Sequence, residues 1–380
     1  MQVSKLRSLF TGVLLAIFVV SLPTGCTSGF FNPSSSSTPT PPPGSSGSLF
    51  YLANSGAGTV GGFSVSTTKS VSNVSGSPSN LGAAPNALAV TPSGSFLYAA
   101  GIAAGAIYGY SLGSGGAMTL LNNNSALVTG VSPIAMTIDP SGQWLIAVDT
   151  TPVATIFSIN TSNGLLTQSG TLALDPGSPS PSGIAFTPDN LKMYVALGTG
   201  GVDIFNFSAS SGVLTKTGLL SPKQSLNADI GLTVDPGSKY LFVTETGINA
   251  LRVLSIGTTG ALTELTGSPY ATGLGPSGVI VDATGSYVYV ANTTAGNISA
   301  FLLSGTGALT QISGSPFSSV GIAPVSLAED GTKTYIGVAN SGGTPDLQVF
   351  TISTTTPGAL TSYASTTGSS GGPLVIISAK

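Results

Sequence analysis

The sequence predicts an all-β fold, a seven-bladed β-propeller of four-stranded antiparallel blades closed by pairing the C-terminal strand with the N-terminal blade. Three observations carry this. An apolar segment led by Pro85, Pro133, Pro181, Asp229, Pro276 and Pro324 recurs at offsets of 48, 48, 48, 47 and 48 residues. Each unit reads as several short strands, and a period in the forties built of strands marks a propeller rather than a helical solenoid. The chain ends are complementary fragments. The first unit opens on a second strand, Leu49 to Asn54, and the last, from Pro373 to Lys380, holds a first strand alone.

In chain order, Lys5 and Arg7 precede an uncharged stretch from Ser8 to Leu22. That is short of the roughly 20 residues of a membrane span and suits the apolar region of a secretory signal. Leu22-Pro-Thr-Gly-Cys26 follows and resembles the bacterial lipobox, with Pro23 where an aliphatic residue is usual. Residues 1–25 are therefore expected to be a lipoprotein signal peptide and Cys26, the only cysteine, the lipidation site. Residues 26–47 are mostly Ser, Thr, Pro and Gly. They cannot bury enough apolar surface to offset their ordering entropy and are expected to form a disordered tether. The propeller is expected over 48–380.

Within each unit the proline-led strand comes first. Phe96-Leu-Tyr-Ala-Ala100, Trp144-Leu-Ile-Ala-Val148 and Tyr287-Val-Tyr-Val-Ala291 typify the second strand. Ile107 to Leu112, Ile298 to Leu303 and Leu347 to Ile352 typify the third, and a fourth follows Gly164, Gly212, Gly260, Gly307 and Gly358. The first two strands are apolar throughout, as expected when neighbouring blades cover both faces. Residues 48–380 divided by seven blades give about 48 each, the observed period. Closing the ring removes two open strand edges.

Composition excludes several chemistries. The 380 residues hold no histidine, which rules out Ser-His-Asp and Cys-His catalysis and His-ligated zinc. One cysteine rules out an intrachain disulfide. Ten basic and 13 acidic residues, spread thinly, offer no nucleic-acid footprint. Without Lys5 and Arg7 the balance becomes 8 basic against 13 acidic, or −5.

Second strands of a propeller end on the face where first strands begin, around one mouth of the channel. The residues there are Asn54, Gly101, Asp149, Leu197, Glu245, Asn292 and Asn340, with Asp175 and Asp229 in loops entering two first strands. Four of the 13 acids thus fall near one side of one mouth. Asn54, Asp149, Asp175, Asp229, Glu245, Asn292 and Asn340 are the candidate ligand-binding residues, and Glu245, Asp149 and Asp229 the candidate catalytic ones. Such oxygen-rich positions suit a sugar, a lactone or Ca²⁺, while short polar residues also simply end strands and turns. No other metal or cofactor is indicated. Asp139, Asp235, Asp282 and Asp330 recur at the opposite turns and are expected to cap them. Glu329 takes a slot held elsewhere by Val90, Ile138, Phe186, Val234 and Val281, and is expected to reach solvent at the rim or, as the alternative, to find a partner as a channel-lining acid. Arg252, on a third strand, is expected on the outer face.

Pro181 to Pro188, Tyr287-Val-Tyr-Val-Ala-Asn292 and Gly307-Ala-Leu-Thr-Gln-Ile-Ser-Gly-Ser-Pro316 resemble the lactonase and YVTN-type propeller families. The resemblance spans essentially the whole domain and rests on strand and turn residues. It implies 6-phosphogluconolactonase-like proteins and a muconate-type cycloisomerase whose site uses histidine, arginine and glutamate. This chain departs from that set: it has no histidine, and Arg252 is the only arginine after residue 25.

Two functions follow. One is an exported propeller, lipid-anchored through Cys26 in the bacterial envelope, at the periplasm, outer membrane or cell surface. It would bind a sugar, lactone or protein ligand there. The alternative is a lactonase-like hydrolase using a carboxylate base. Oligomeric state is not legible in the sequence.

Overall fold

In the computed structural model, residues 48–175, 182–224, 227–366 and 371–379 are described. The signal peptide, Cys26 and the tether lie outside them, as does Pro181. The unit Pro41–Lys380 carries every described residue.

Seven antiparallel sheets follow one another along the chain, each ordered first, second, third, fourth strand. The first strands are Ala87–Val90, Pro133–Ile138, Gly183–Phe186, Asp229–Val234, Pro276–Val281, Pro324–Glu329 and Pro373–Ala379. Each touches the next and the last touches the first, so they form the inner ring. We number blades 1 to 7 from the one holding Ser48–Asn54. Blade 1 is completed from both chain ends: Ser48–Asn54 pairs with Pro373–Ala379, from Leu49 opposite Ala379 to Asn54 opposite Pro373. Blades 1, 2, 5 and 6 each carry an additional two-residue strand on the third strand, at Ser79–Asn80, Val128–Thr129, Tyr270–Ala271 and Phe317–Ser318.

The inner strands surround a cavity of about 310 Å³ lined from all seven blades. Leu88, Met136, Ile184, Leu232, Val279, Leu327 and Ile376 give it an apolar wall. At its upper end, where inner strands begin, alternate blades are stitched to the next. Asn86 Nδ2 donates to Pro133 O at 2.8 Å, Ser182 Oγ to Asp229 O at 3.1 Å and Ser277 Oγ to Val325 O at 3.1 Å. Glycine at 231 permits this closeness, since a Cβ there would lie 2.1 Å from Ser277 O.

The core is a set of apolar layers between adjacent blades, dominated by the second strands. Tyr51, Tyr98, Tyr194 and Tyr289 are fully buried there. Their hydroxyls donate to Gly116 O, Gly164 O, Gly260 O and Gly358 O, each in the following blade, at 2.9–3.2 Å. This accounts for the glycine before the fourth strand in those blades. Gly164 has φ +73°, and an added Cβ would meet the Phe96 ring at 2.5 Å. Gly164 thus accepts the Tyr98 hydroxyl and makes room for the Phe96 ring of the same neighbouring blade.

At the lower face the recurrent aspartates cap their turns. Asp139 Oδ1 accepts from Gln143 N and Trp144 N at 2.9 and 2.7 Å, and Asp235, Asp282 and Asp330 repeat the pattern. Glu329 takes the alternative of the two expected places. It is half-buried and lines a second cavity, of about 310 Å³, at the lower end of the channel. Its Oε2 accepts from Ala283 N of the neighbouring blade at 2.7 Å.

Candidate functional site at the upper face

The last residue of each second strand belongs to a repeated slot beside the third strand. Two residues earlier, Leu52, Ala99, Ala147, Val195, Val243, Val290 and Val338 pair with Gly61, Tyr108, Thr155, Asp203, Arg252, Ser299 and Gln348. Side chains two apart share a face. Each second-strand end therefore stands beside the third-strand residue of its own blade.

In blade 6 this places Asn292 on Ser299, with Nδ2 donating to Asn297 Oδ1 at 2.8 Å and Ser299 Oγ at 2.9 Å. Asn340 Nδ2 donates to Pro345 O at 3.0 Å, and Asn54 Nδ2 reaches only Thr59 Oγ1, at 3.4 Å. These amides are engaged within their own blades, and none of the seven candidates lines the central cavity. Asp149 is half-buried, and burial raises its pKa although a backbone bond from the Ser132 region opposes this. Asp175 joins Lys216 at 2.7 Å, and the same ammonium binds the fully buried Asp203 at 2.6 Å. Burial holds the Asp203 carboxyl above its ordinary range, with Lys216 pulling the other way.

Blade 5 is where two candidates meet. Asp229 and Glu245 are directly opposite in the ladder between first and second strands, and both are fully buried. Among the described residues no donor reaches either oxygen of Asp229 or Oε2 of Glu245. Burial, then the charge of Glu245, pushes the Asp229 carboxyl up to about 7. Two buried like charges at opposed positions disfavour ionisation of both. Burial also raises Glu245, opposed chiefly by Arg252.

Arg252 overturns the outer-face expectation: it is only 6% exposed. Its Nη1 lies 3.6 Å from Glu245 Oε1 and donates to Ser221 O at 3.0 Å, while Nε donates to Glu264 Oε2 at 3.2 Å. Lys223 adds its own N–H to Glu245 Oε1 at 3.3 Å and its ammonium to Glu264 at 2.8 Å. The segment entering blade 5 covers the third strand and turns an outward side chain into a buried one. Asp203, Arg252, Glu264, Lys216 and Lys223 were not among the candidates. The signal available was positional, since 203 and 252 fall in a slot that Thr155, Ser299 and Gln348 fill with neutral groups.

The closed ring of seven four-stranded blades now has a counterpart among known proteins. Residues 36–176 match the family described as Lactonase, 7-bladed beta-propeller. Within the described residues this match covers blades 2 and 3 and blade 1 apart from its Pro373–Ala379 strand, and solved structures share the fold over most of the chain. A proposed 6-phosphogluconolactonase from Bacteroides uniformis ATCC 8492 is 15% identical with a TM-score of 0.71, over 87% of this chain and 98% of that one. Another, from Bacteroides fragilis NCTC 9343, is 18% identical with a TM-score of 0.70, over 90% and 99%. The periplasmic gluconolactonase PpgL of Pseudomonas aeruginosa is 14% identical with a TM-score of 0.68, over 87% and 98%. At these identities the likeness shows the fold alone. No curated protein matches the sequence.

Proposed function

We propose that this chain is a lactonase-like hydrolase that opens a lactone ring at the upper face of blade 5. The observation that carries the reading is the Asp229–Glu245 pair, two buried carboxyls directly opposite one another, with burial and the Glu245 charge raising Asp229 to about 7. A group that titrates close to neutrality serves equally as acid and base. The ionised member takes a proton from water as the water oxygen adds to the lactone carbonyl. The ring carbon–oxygen bond then breaks, and the protonated member gives its proton to the departing ring oxygen. Arg252 holds Glu245 in place and keeps part of the pair's charge compensated. The lactonase family match and the gluconolactonase named among the structural relatives support the same class.

An unphosphorylated lactone suits this face best. Lys216, Lys223 and Arg252 are each bound to carboxylates already, and the surrounding acids repel a phosphate. The lipobox supports a place in the bacterial envelope, held by lipid on Cys26, where such a lactone would arrive from outside the cytoplasm. Metabolic labelling with a fatty acid, lost in Cys26→Ser, tests the anchor.

The decisive assay offers the purified full chain a panel of unphosphorylated sugar lactones. Asp229→Asn and Glu245→Gln are expected to lower kcat/KM by about 100-fold or more, and Asp149→Asn to leave it unchanged. Wild-type protein inactive on every lactone would sink the hydrolase. A second reading would then stand, a propeller that binds a ligand or protein without turnover. It rests on the complete cover over Asp229 and Glu245.

A further inference from the structure

We propose that the seam between blades 4 and 5 holds a separate binding site for an aromatic monocarboxylate. A slot near the start of each second strand repeats around the ring. Leu49, Phe96, Trp144, Tyr240, Tyr287 and Tyr335 fill it in six blades, each paired with the third strand of its own blade. Blade 4 has Lys192 there, opposite Asn206. In the blades on either side the ring crosses to the next blade. Trp144 Nε1 donates to Ala209 O at 2.8 Å, and the Tyr240 hydroxyl to Gly305 O at 2.9 Å. Trp144 lies over Gly212 and Tyr240 over Gly307, where an added Cβ would meet their rings. The Lys192 stem covers the equivalent Gly260, but its ammonium turns back to donate to Asn206 Oδ1 in its own blade.

A cavity of about 440 Å³ lies in this seam, lined by Lys192, by Ile204, Thr217 and Leu220 of blade 4 and by Thr259 and Leu262 of blade 5. Among the described residues no carboxylate pairs with Lys192, and Asn206 takes only one of its three N–H donors. Aliphatic walls and an ammonium with donors to spare, around one void, fit a flat apolar ring that bears a negative charge. The ring takes the place that Trp144 and Tyr240 fill in the flanking blades. Its carboxylate accepts from Lys192 Nζ and from the Asn206 amide N–H. A single ammonium is a compact point charge and matches a monoanion. A packing rule kept by six blades and broken by one, where space is left behind, marks a place where function overrides packing. The blade 5 carboxyl pair takes no part in this site.

Calorimetric titration of the full-length protein with benzoate, acetate, benzyl alcohol and benzylamine tests it. Benzoate is expected to bind with a Kd in the millimolar range or tighter. Acetate lacks the ring, benzyl alcohol the charge, and benzylamine has the opposite charge; each is expected to bind about 10-fold more weakly or worse. Lys192→Met keeps the stem and removes the ammonium, and should bring benzoate down to the level of benzyl alcohol. Lys192→Tyr copies blades 5 and 6 and fills the void. It should abolish benzoate binding while the melting temperature is no lower and lactone hydrolysis stays as in the wild type. Absence of benzoate binding would overturn the proposal, as would equal binding of acetate or benzylamine, or undiminished benzoate binding by Lys192→Met or Lys192→Tyr.

Discussion

Asp229 and Glu245 stand opposite one another in blade 5, fully buried, and burial together with the charge of Glu245 raises the Asp229 carboxyl to about 7. That shift links stability to pH. Asp229 rises from 3.8 to about 7 on folding, so between those values the folded chain binds more protons than the unfolded one. Stability contributed by the protonated carboxyl is therefore present at pH 4 and falls as pH rises toward and past 7, by roughly 4 kcal/mol at most. Asp229→Asn copies the protonated form. Its melting temperature should exceed that of the wild type at pH 8 by several degrees, with the gap closing near pH 5. A gap that does not vary with pH would show that the Asp229 carboxyl is not raised.

Arg252 carries the compensating charge for Glu245 and Glu264. Removing one partner of a buried ion pair strands the other, at a cost of about 3–5 kcal/mol. Arg252→Ala should lose about 3 kcal/mol in urea unfolding. Arg252→Met combined with Glu245→Gln should lose clearly less than the two single changes summed, since neither leaves a bare charge behind. Strict additivity would mean the two side chains are not coupled.

The Tyr98 hydroxyl and the Gly164 carbonyl bond blade 2 to blade 3 at 2.9 Å inside the core. Tyr98→Phe leaves that carbonyl unsatisfied and should cost about 1–3 kcal/mol. Gly164→Ala should be at least as harmful, because φ is +73° and the Phe96 ring occupies the place of the new methyl. Equilibrium denaturation measures both, and a neutral Gly164→Ala would contradict the packing described.

Ring closure depends on Pro373–Ala379 lying against Ser48–Asn54. Deleting residues 373–380 bares the edge of Ser48–Asn54 and removes one wall of the channel. The shortened chain should aggregate or unfold at markedly lower temperature, as seen by light scattering and calorimetry. A soluble monomer with the original melting temperature would show that closure contributes little to stability.

The blades could be read in the sequence because each is a local unit: strand, turn and capping aspartate lie within one period, and Asp139, Asp235, Asp282 and Asp330 cap as their spacing implies. The joining of the chain ends was legible for the same reason, each end being an incomplete copy of a known unit. The burial of Arg252 was not legible, nor was the partner of Glu329. Their surroundings come from other blades or linkers, Ser221 and Lys223 over Arg252 and the Ala283 N–H at Glu329.

Seven repeats, their strand order and the acids available at the upper face were therefore determined by the sequence alone. Tertiary structure decided which acids meet. Asp229 and Glu245 are 16 positions apart, and only the register of two strands makes them neighbours. The cover that desolvates them lies partly on a loop packed from outside their hairpin. Hydrogen-bonded strands repeat with the chain, whereas burial and the carboxyl shifts it causes depend on what folds over them.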